Sequence, residues 1–195
     1  MRTTILLLLL ATPVVAQAQV NTLTFFATGQ HNGGDTPFAG DPGESLKVHF
    51  ENGRGFGASY TRAIRDRWSI EAAVFRTSSD VRIVERTAGS FDAGELDLTS
   101  LIGMIRAHTH RDGPFDVWAG AGVAHVIASD VSDVPVDNES TLAIGAGVSW
   151  DFSPRAGITL DARYLPLTLT GQTDNGDVEA DINPLLVSIG LRFRF

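Results

Sequence analysis

The stretch LLVSIGLRFRF, at residues 185–195, decides the fold. In an extended chain successive side chains point to opposite faces, so this stretch separates its apolar residues from the others. The apolar face carries Leu185, Val187, Ile189, Leu191, Phe193 and Phe195, and the opposite face carries Ser188, Gly190, Arg192 and Arg194. A helix would mix the two sets, so the pattern predicts an amphipathic β-strand.

Similar alternation runs through much of the chain and is clearest at residues 115–127 and 141–152. Around Pro166 the apolar positions change phase, which indicates a bulge or a strand end. Together the patterns predict eight strands, at approximately residues 21–30, 52–63, 67–83, 95–109, 114–128, 139–152, 156–170 and 182–195.

The connections between these strands alternate in length. Those at residues 64–67, 110–114 and 153–156 are short, whereas those at 31–51, 84–94, 129–138 and 171–181 are long and rich in Gly, Asp, Asn and Pro. Outer-membrane barrels have short periplasmic turns and longer outer loops. The chain is therefore expected to be all-β, an eight-stranded antiparallel up-and-down transmembrane β-barrel.

Alternation alone does not say which face meets lipid, because a soluble lipocalin-like barrel would turn its apolar rows inward. Two observations favour the membrane. The opposing face of the best strands is mostly Gly, Ala, Ser and Thr, which suits the narrow interior of a small barrel. Aromatic residues also fall near strand ends, as in interfacial girdles: they are Trp68, Phe115, Trp150, Phe152, Phe193 and Phe195.

The first residues have the features of a secretory signal peptide. Arg2 precedes an apolar run too short to span a membrane, and Ala16 and Ala18 each complete a small-residue cleavage motif. We expect residues 1–18 to be removed and residues 19–195 to form one barrel domain in the outer membrane of a Gram-negative bacterium. An N-terminal membrane anchor is the alternative.

Charge and cysteine content bear on the partners. The formal net charge is -8 and no basic cluster is present, so no nucleic-acid partner is expected. The chain has no cysteine, so no disulfide stabilises it. No cofactor is expected.

The end of the chain resembles the assembly signal of outer-membrane barrels. Ser188, Gly190, Phe193 and Phe195 match its polar residue, its glycine and its two hydrophobic residues, the last of which ends the chain. The resemblance implies recognition by the barrel-assembly machinery.

A broader resemblance covers residues 67–195. The segments VWAGAGVA at 117–124 and DARY at 161–164 are similar to segments of the OmpW-like family of small barrels. The chain lacks that family's early Arg-x-Gly and carries the Gly-rich segment HNGGDTPFAGDPG at 31–43 instead. The resemblance implies a route by which small hydrophobic compounds pass from an outer cavity sideways into the membrane.

If the apolar rows face lipid, several charged residues point into the barrel. Unpaired charges are costly in a narrow interior, so we expect a hydrogen-bonded network made of Glu71, Asp97, Asp161, Arg163, Arg192 and Arg194. The network is either a plug that fills the barrel or a constriction that selects permeants. The apolar candidates for the same interior are Phe26, Phe75 and Trp118.

Other chemistry has weaker support. His108 and His110 share one face of a strand, but no third ligand is placed beside them, so no metal site is expected. A lipid-modifying hydrolase would need Ser, His and a carboxylate together, and no local motif supplies them. The acidic segment DNGD at 174–177 fails the spacing of a calcium loop.

The expected function is a non-enzymatic narrow channel or diffusion route for small molecules, hydrophobic ones among them. One alternative is a non-conducting structural or binding barrel whose acidic outer loops contact a partner or lipopolysaccharide, and a lipid-modifying hydrolase is a minor alternative. The expected partners are outer-membrane lipid and lipopolysaccharide, the barrel-assembly machinery and small hydrophobic solutes.

Overall fold

A computed structural model of the chain describes residues 21–33, 35–37, 46–85, 89–109, 113–129, 135–173 and 176–195. Within them no helix is long and apolar enough to cross a membrane. The strands are β1 (Asn21–His31), β2 (Asp35–Pro37), β3 (Leu46–Phe50), β4 (Gly53–Arg65), β5 (Trp68–Glu85), β6 (Gly89–His108), β7 (Phe115–Ala128), β8 (Glu139–Asp151), β9 (Ala156–Tyr164), β10 (Thr168–Thr173), β11 (Gly176–Asp181) and β12 (Leu185–Arg194).

Eight of these strands close into a barrel. Its order is β1, β4, β5, β6, β7, β8, β9 and β12, and β12 pairs with β1 again. Every neighbouring pair in the ring is antiparallel. Closure gives each strand a hydrogen-bonded neighbour on both sides, as hydrocarbon requires, since no water is present to satisfy a free sheet edge. The expected eight-stranded antiparallel up-and-down barrel is confirmed.

The apolar rows face outward along the ring. On β8 the exposed positions are Leu142, Ile144, Val148 and Trp150, and on β12 they are Val187, Ile189, Leu191 and Phe193. A water-soluble barrel would bury these side chains, whereas a bilayer solvates them. The outward orientation therefore agrees with a membrane barrel and disagrees with a lipocalin-like soluble barrel.

Small inward-facing residues make room for large side chains in the interior. A Cβ atom at Gly57 would overlap the ring of Phe75, and one at Gly147 would lie 2.7 Å from the indole Nε1 of Trp118. Phe75 and Trp118 are buried. The glycines on the polar face are thus the complement of the aromatic residues that fill the barrel.

Exposed aromatic residues gather at the end of the barrel where the short turns lie and where β1 begins and β12 ends. The rings of Phe115 and Trp150 stack at a centroid distance of 6.3 Å, and Phe152 meets Trp150 edge-on at 6.3 Å. Trp68 and Phe193 are also exposed at this end. Such a girdle marks a membrane interface, and with short turns beside it this end is periplasmic.

At the opposite, outer end of the barrel, several strands end at other residues than the sequence predicts. β5 and β6 extend to Glu85 and Gly89, and β3 and β2 add to the outer part of β5. The strand predicted at 156–170 ends at Tyr164, and β10 and β11 form a separate hairpin. The cause of the early strand end is Pro166, which has no amide hydrogen for the sheet.

The expected signal peptide, residues 1–18, lies outside the described residues, and its removal stays a prediction. His110 and the start of the acidic segment at 174–177 lie outside them as well.

The outward orientation predicts a depth-dependent cost for charge. Ile144 lies about 15 Å along the membrane normal from Trp150, near mid-bilayer, for strands tilted by about 40°. We expect Ile144→Lys to destabilise the folded barrel by about 2–4 kcal/mol, and Phe152→Lys, in the girdle, by at most about 1 kcal/mol. Urea unfolding in lipid vesicles measures both. Equal costs would contradict the orientation.

Candidate functional site

The interior of the barrel is divided along its axis. The periplasmic half is lined by buried polar and charged side chains, namely Thr22, Thr24, Thr61, Ser69, Glu71, Arg106, His108, Asp116, Ser149, Thr159, Asp161, Arg163 and Arg192. The outer half is mostly apolar, with Phe50, Val81, Leu96, Leu98, Val126, Leu165, Leu167, Leu169, Ile182 and Leu186 buried there. A polar strip on β1 and β5 crosses that half, where Thr77 donates a hydrogen bond to Gln30.

Four charged side chains from three strands meet at the centre of the polar half. Arg163 on β9 donates to Asp161 Oδ2 at 2.8 Å, and its Nη1 lies 3.4 Å from Glu71 Oε1 on β5. Arg106 on β6 pairs with the other oxygen of Glu71. The two cations and two anions are buried, so each charge depends on its partners for its solvation.

Aromatic rings cover this ion cluster. The guanidinium carbon of Arg163 lies 4.5 Å from the ring centroid of Phe75 and 5.3 Å from that of Phe26, and Arg106 lies 3.7 Å over Trp118. All three aromatic side chains are buried. The rings add cation–π attraction to the two guanidinium groups.

A second ion cluster lies at the periplasmic mouth. Asp151 on β8 accepts contacts from both arginines of β12: Arg194 Nη1 at 2.7 Å and Arg192 Nε at 3.5 Å. The cluster links strands on either side of β9 and narrows the mouth.

The structure corrects one member of the expected charge network. Asp97 faces outward on β6, where Arg76 Nη2 donates to it at 2.9 Å and Ser78 at 2.5 Å. β6 carries apolar residues on both faces, so its sequence does not reveal its phase. The pairing with β5 turns its even-numbered positions inward, which buries Arg106 and His108 instead.

The barrel also brings together three side chains that sequence reasoning did not connect. His108 Nε2 lies 2.8 Å from Ser69 Oγ, and His108 Nδ1 lies 2.9 Å from Asp116 Oδ2. They come from the periplasmic ends of β5, β6 and β7, so no local motif could reveal them. Ser69 has no exposed surface, at 0%. The contacts of Ser69, His108 and Asp116, which we call the relay, link three neighbouring strands.

The free space in the polar half is small. A cavity of about 20 Å³ is lined by Thr61, His108, Asp116 and Arg192 among others, which is room for about one water molecule. Among the described residues, no group of three or more metal-ligating side chains is present. The buried side chains of the polar half therefore leave little free space around this cavity, and we call this part of the interior the floor.

The barrel wall has a gap in its hydrogen bonding beside the apolar half. β8 and β9 pair regularly up to Ile144 opposite Tyr164, where β9 ends. Beyond this point Thr141 Oγ1 donates to the carbonyl of Pro166. An amide hydrogen at residue 166 would point toward β8 as well, but proline has none. We call the gap between residues 139–143 and 165–169 the Pro166 seam.

Backbone hydrogen bonds hold the chain at the outer end of the seam and on the side that faces β12. Asp137 N donates to Thr170 O at 3.0 Å, which is the next backbone bond across it among the described residues. On the other side Leu165 N donates to Pro184 O at 3.1 Å. The segment is thus attached mainly to one neighbour, and its leucines line the apolar half.

Comparison with known proteins agrees with this architecture. The model of the family described as outer membrane protein beta-barrel domain matches residues 4–195. No curated protein sequence matches the chain.

Solved structures share the fold at low sequence identity. Outer membrane protein OprG from Pseudomonas aeruginosa gives a TM-score of 0.74 at 13% identity, with 91% of this chain and 95% of that one covered. Neisserial surface protein A gives 0.62 at 17%, covering 92% and 100%. AlkL, determined in lipid bilayers, gives 0.55 at 17%, covering 95% of each chain.

The ion cluster predicts a large cost for breaking it. Arg163→Met removes the partner of Asp161 and one partner of Glu71, and leaving buried charge unpaired should cost about 3–5 kcal/mol of unfolding free energy. The control is Arg76→Met, which breaks an exposed pair and should cost at most about 1 kcal/mol. Urea unfolding in vesicles compares them. Similar small losses would mean that the interior charges are hydrated.

The buried relay predicts an inert serine. A fluorophosphonate probe should leave Ser69 unlabelled in folded protein, because its hydroxyl has no exposed surface. Mass spectrometry after digestion detects the adduct, with a known serine hydrolase in the same tube as a positive control. An adduct that disappears in Ser69→Ala would overturn this expectation.

Proposed function

We propose, since this chain belongs to the outer membrane protein β-barrel domain family, that it is a diffusion route for small hydrophobic molecules. They would enter the outer half of the barrel and leave sideways into the membrane. The observation that carries the proposal is the Pro166 seam, which lies in the wall of the apolar half.

The first step of the route is partition into the outer half. Its buried side chains are mostly hydrocarbon, so a hydrophobic solute gains free energy there relative to water. Lipopolysaccharide slows such solutes at the outer surface, and a protein wall around an apolar path would bypass that layer.

The second step is the choice of exit. The ion cluster of Glu71, Arg106, Asp161 and Arg163 blocks the axis, because a hydrophobic solute cannot replace the partners of buried charges. At the Pro166 seam the wall holds fewer backbone bonds, so opening there breaks less of the sheet. Lateral exit is therefore cheaper than passage through the floor.

The resemblance to the OmpW-like family supports the same route, and membership of that narrower family stays part of this proposal. The segments of this chain that carry the resemblance, at residues 117–124 and 161–164, lie on β7 and β9 of the barrel.

A second candidate is a non-conducting structural or binding barrel. The packing of the outer half supports it, since Leu96, Val126 and Leu165 are almost fully buried there. The two functions differ only in whether the outer half exchanges molecules with the membrane.

We also propose that the end of β12 is the assembly signal. Ser188 and Gly190 face inward while Phe193 is exposed to lipid, so an assembly machine that binds the strand edge could select both faces. Outer-membrane lipid and lipopolysaccharide remain proposed partners.

The route predicts uptake that depends on residue 166. Gram-negative cells with intact lipopolysaccharide that express the chain should take up N-phenylnaphthylamine, which fluoresces in membranes, well above the empty-vector rate. Pro166→Val supplies an amide hydrogen and extends β9 along β8, so uptake should return toward that rate. Pro154→Ala, in a periplasmic turn, is the control and should match the wild type.

The same cells report folding through the gel mobility of unheated samples, so loss of the barrel is distinguishable from closure of the seam. Purified protein in liposomes should admit no arabinose. Pro166→Val that folds and still takes up the dye at the wild-type rate would remove the lateral route, and no uptake by the wild type would favour the non-conducting barrel.

A further inference from the structure

A groove runs along the lipid-facing surface of β12, β1 and β4, outside the interior described above. Its volume is about 630 Å³, and its walls include the exposed side chains of Phe56, Val187 and Ile189. Ala27 and Gly29 form its floor. Large side chains border small ones here, so the surface has a recess at this place.

The floor of the groove is open rather than collapsed. Gly29 faces outward, and a Cβ atom there would have no neighbour nearer than the Val187 carbonyl oxygen at 3.9 Å. A larger side chain would therefore fit without strain. The lining of the recess is mostly apolar, so covering it with an acyl chain would be favourable.

An unpaired cation stands at the outer end of the groove. Arg54 on β4 lies directly opposite Gly29 in the β1–β4 register and lines the groove. It faces outward and is exposed, and among the described residues its side chain has no ion-pair partner. The next outward arginine on β5, Arg76, is already paired with Asp97.

The depth of Arg54 matches the headgroups of the outer leaflet. It lies about 25 Å along the membrane normal from Ile64 at the periplasmic end, which is the height of the apolar band of such barrels. A guanidinium at that boundary, with no protein anion beside it, is free to pair with the anionic group of a lipid.

We propose that this groove binds one molecule of a phosphorylated glycolipid of the outer leaflet, the lipid A part of lipopolysaccharide. An acyl chain lies over Gly29 and Ala27, and a sugar phosphate pairs with Arg54. The outer position of Arg54 favours this lipid over phospholipids of the inner leaflet, and guanidinium binds phosphate through two parallel hydrogen bonds.

The test is binding to the purified barrel in detergent, followed by native mass spectrometry. The ligands are lipid A, the same lipid A with its phosphates removed, and phosphatidylglycerol. Wild-type protein should bind lipid A about tenfold more tightly than the dephosphorylated form, which is the contribution of one charge-assisted hydrogen-bonded pair. Phosphatidylglycerol should bind more weakly than lipid A.

Two variants separate the headgroup from the chain. Arg54→Gln should abolish the preference for the phosphorylated form and leave the dephosphorylated form unaffected. Gly29→Leu fills the bottom of the groove and should weaken the binding of both forms of lipid A.

Matched controls lie on the same lipid face outside the groove. Arg76→Gln removes a paired arginine, and Gly103→Leu enlarges an outward glycine of β6 that has nothing within 4 Å of its Cβ position. Both should bind as the wild type does.

Three results would overturn the proposal. The phosphate preference could survive Arg54→Gln, Gly103→Leu could weaken binding as much as Gly29→Leu, or phosphatidylglycerol could bind as tightly as lipid A. The interior plays no part in this test, so its outcome is independent of the diffusion route.

Discussion

The structure depends on one constraint: in hydrocarbon, each backbone N–H and C=O group must find its partner within the protein. Eight antiparallel strands satisfy it by closing into a ring. Once the ring is closed, successive side chains of each strand must point alternately to lipid and into a narrow interior. The apolar rows of β8 and β12 face the lipid, and glycines, serines and charged residues face the interior.

The interior shows what this division demands of buried charge. Glu71, Asp161, Arg106 and Arg163 solvate one another and contact aromatic rings, so the buried charges of the periplasmic half are balanced within the protein. Among the described residues the outer half is lined mostly by apolar side chains, and its wall is interrupted at Pro166. On the proposed lateral route, a hydrophobic solute would leave through this interruption and would not have to pass the ion cluster.

Strand phase explains what the sequence could and could not predict. Apolar and polar residues alternate cleanly on β8, β9 and β12, so the alternation predicted their lipid-facing rows and the inward positions of Asp161, Arg163 and Arg192. β6 has apolar residues on both faces, so only its pairing with β5 shows which of its residues point inward. The sequence therefore places Asp97 inside, whereas the inward residues are Arg106 and His108. The relay of Ser69, His108 and Asp116 joins three strands, and local sequence carries no trace of such contacts.

The outward orientation of the apolar rows can be measured by the accessibility of spin labels along one strand in vesicles. The chain has no cysteine, so single-cysteine variants at residues 22–27 of β1 each carry one label. Collisions with oxygen, which dissolves in lipid, should be frequent at 23, 25 and 27 and rare at 22, 24 and 26. Accessibility with the opposite parity, or none that alternates, would contradict the outward orientation of the apolar rows.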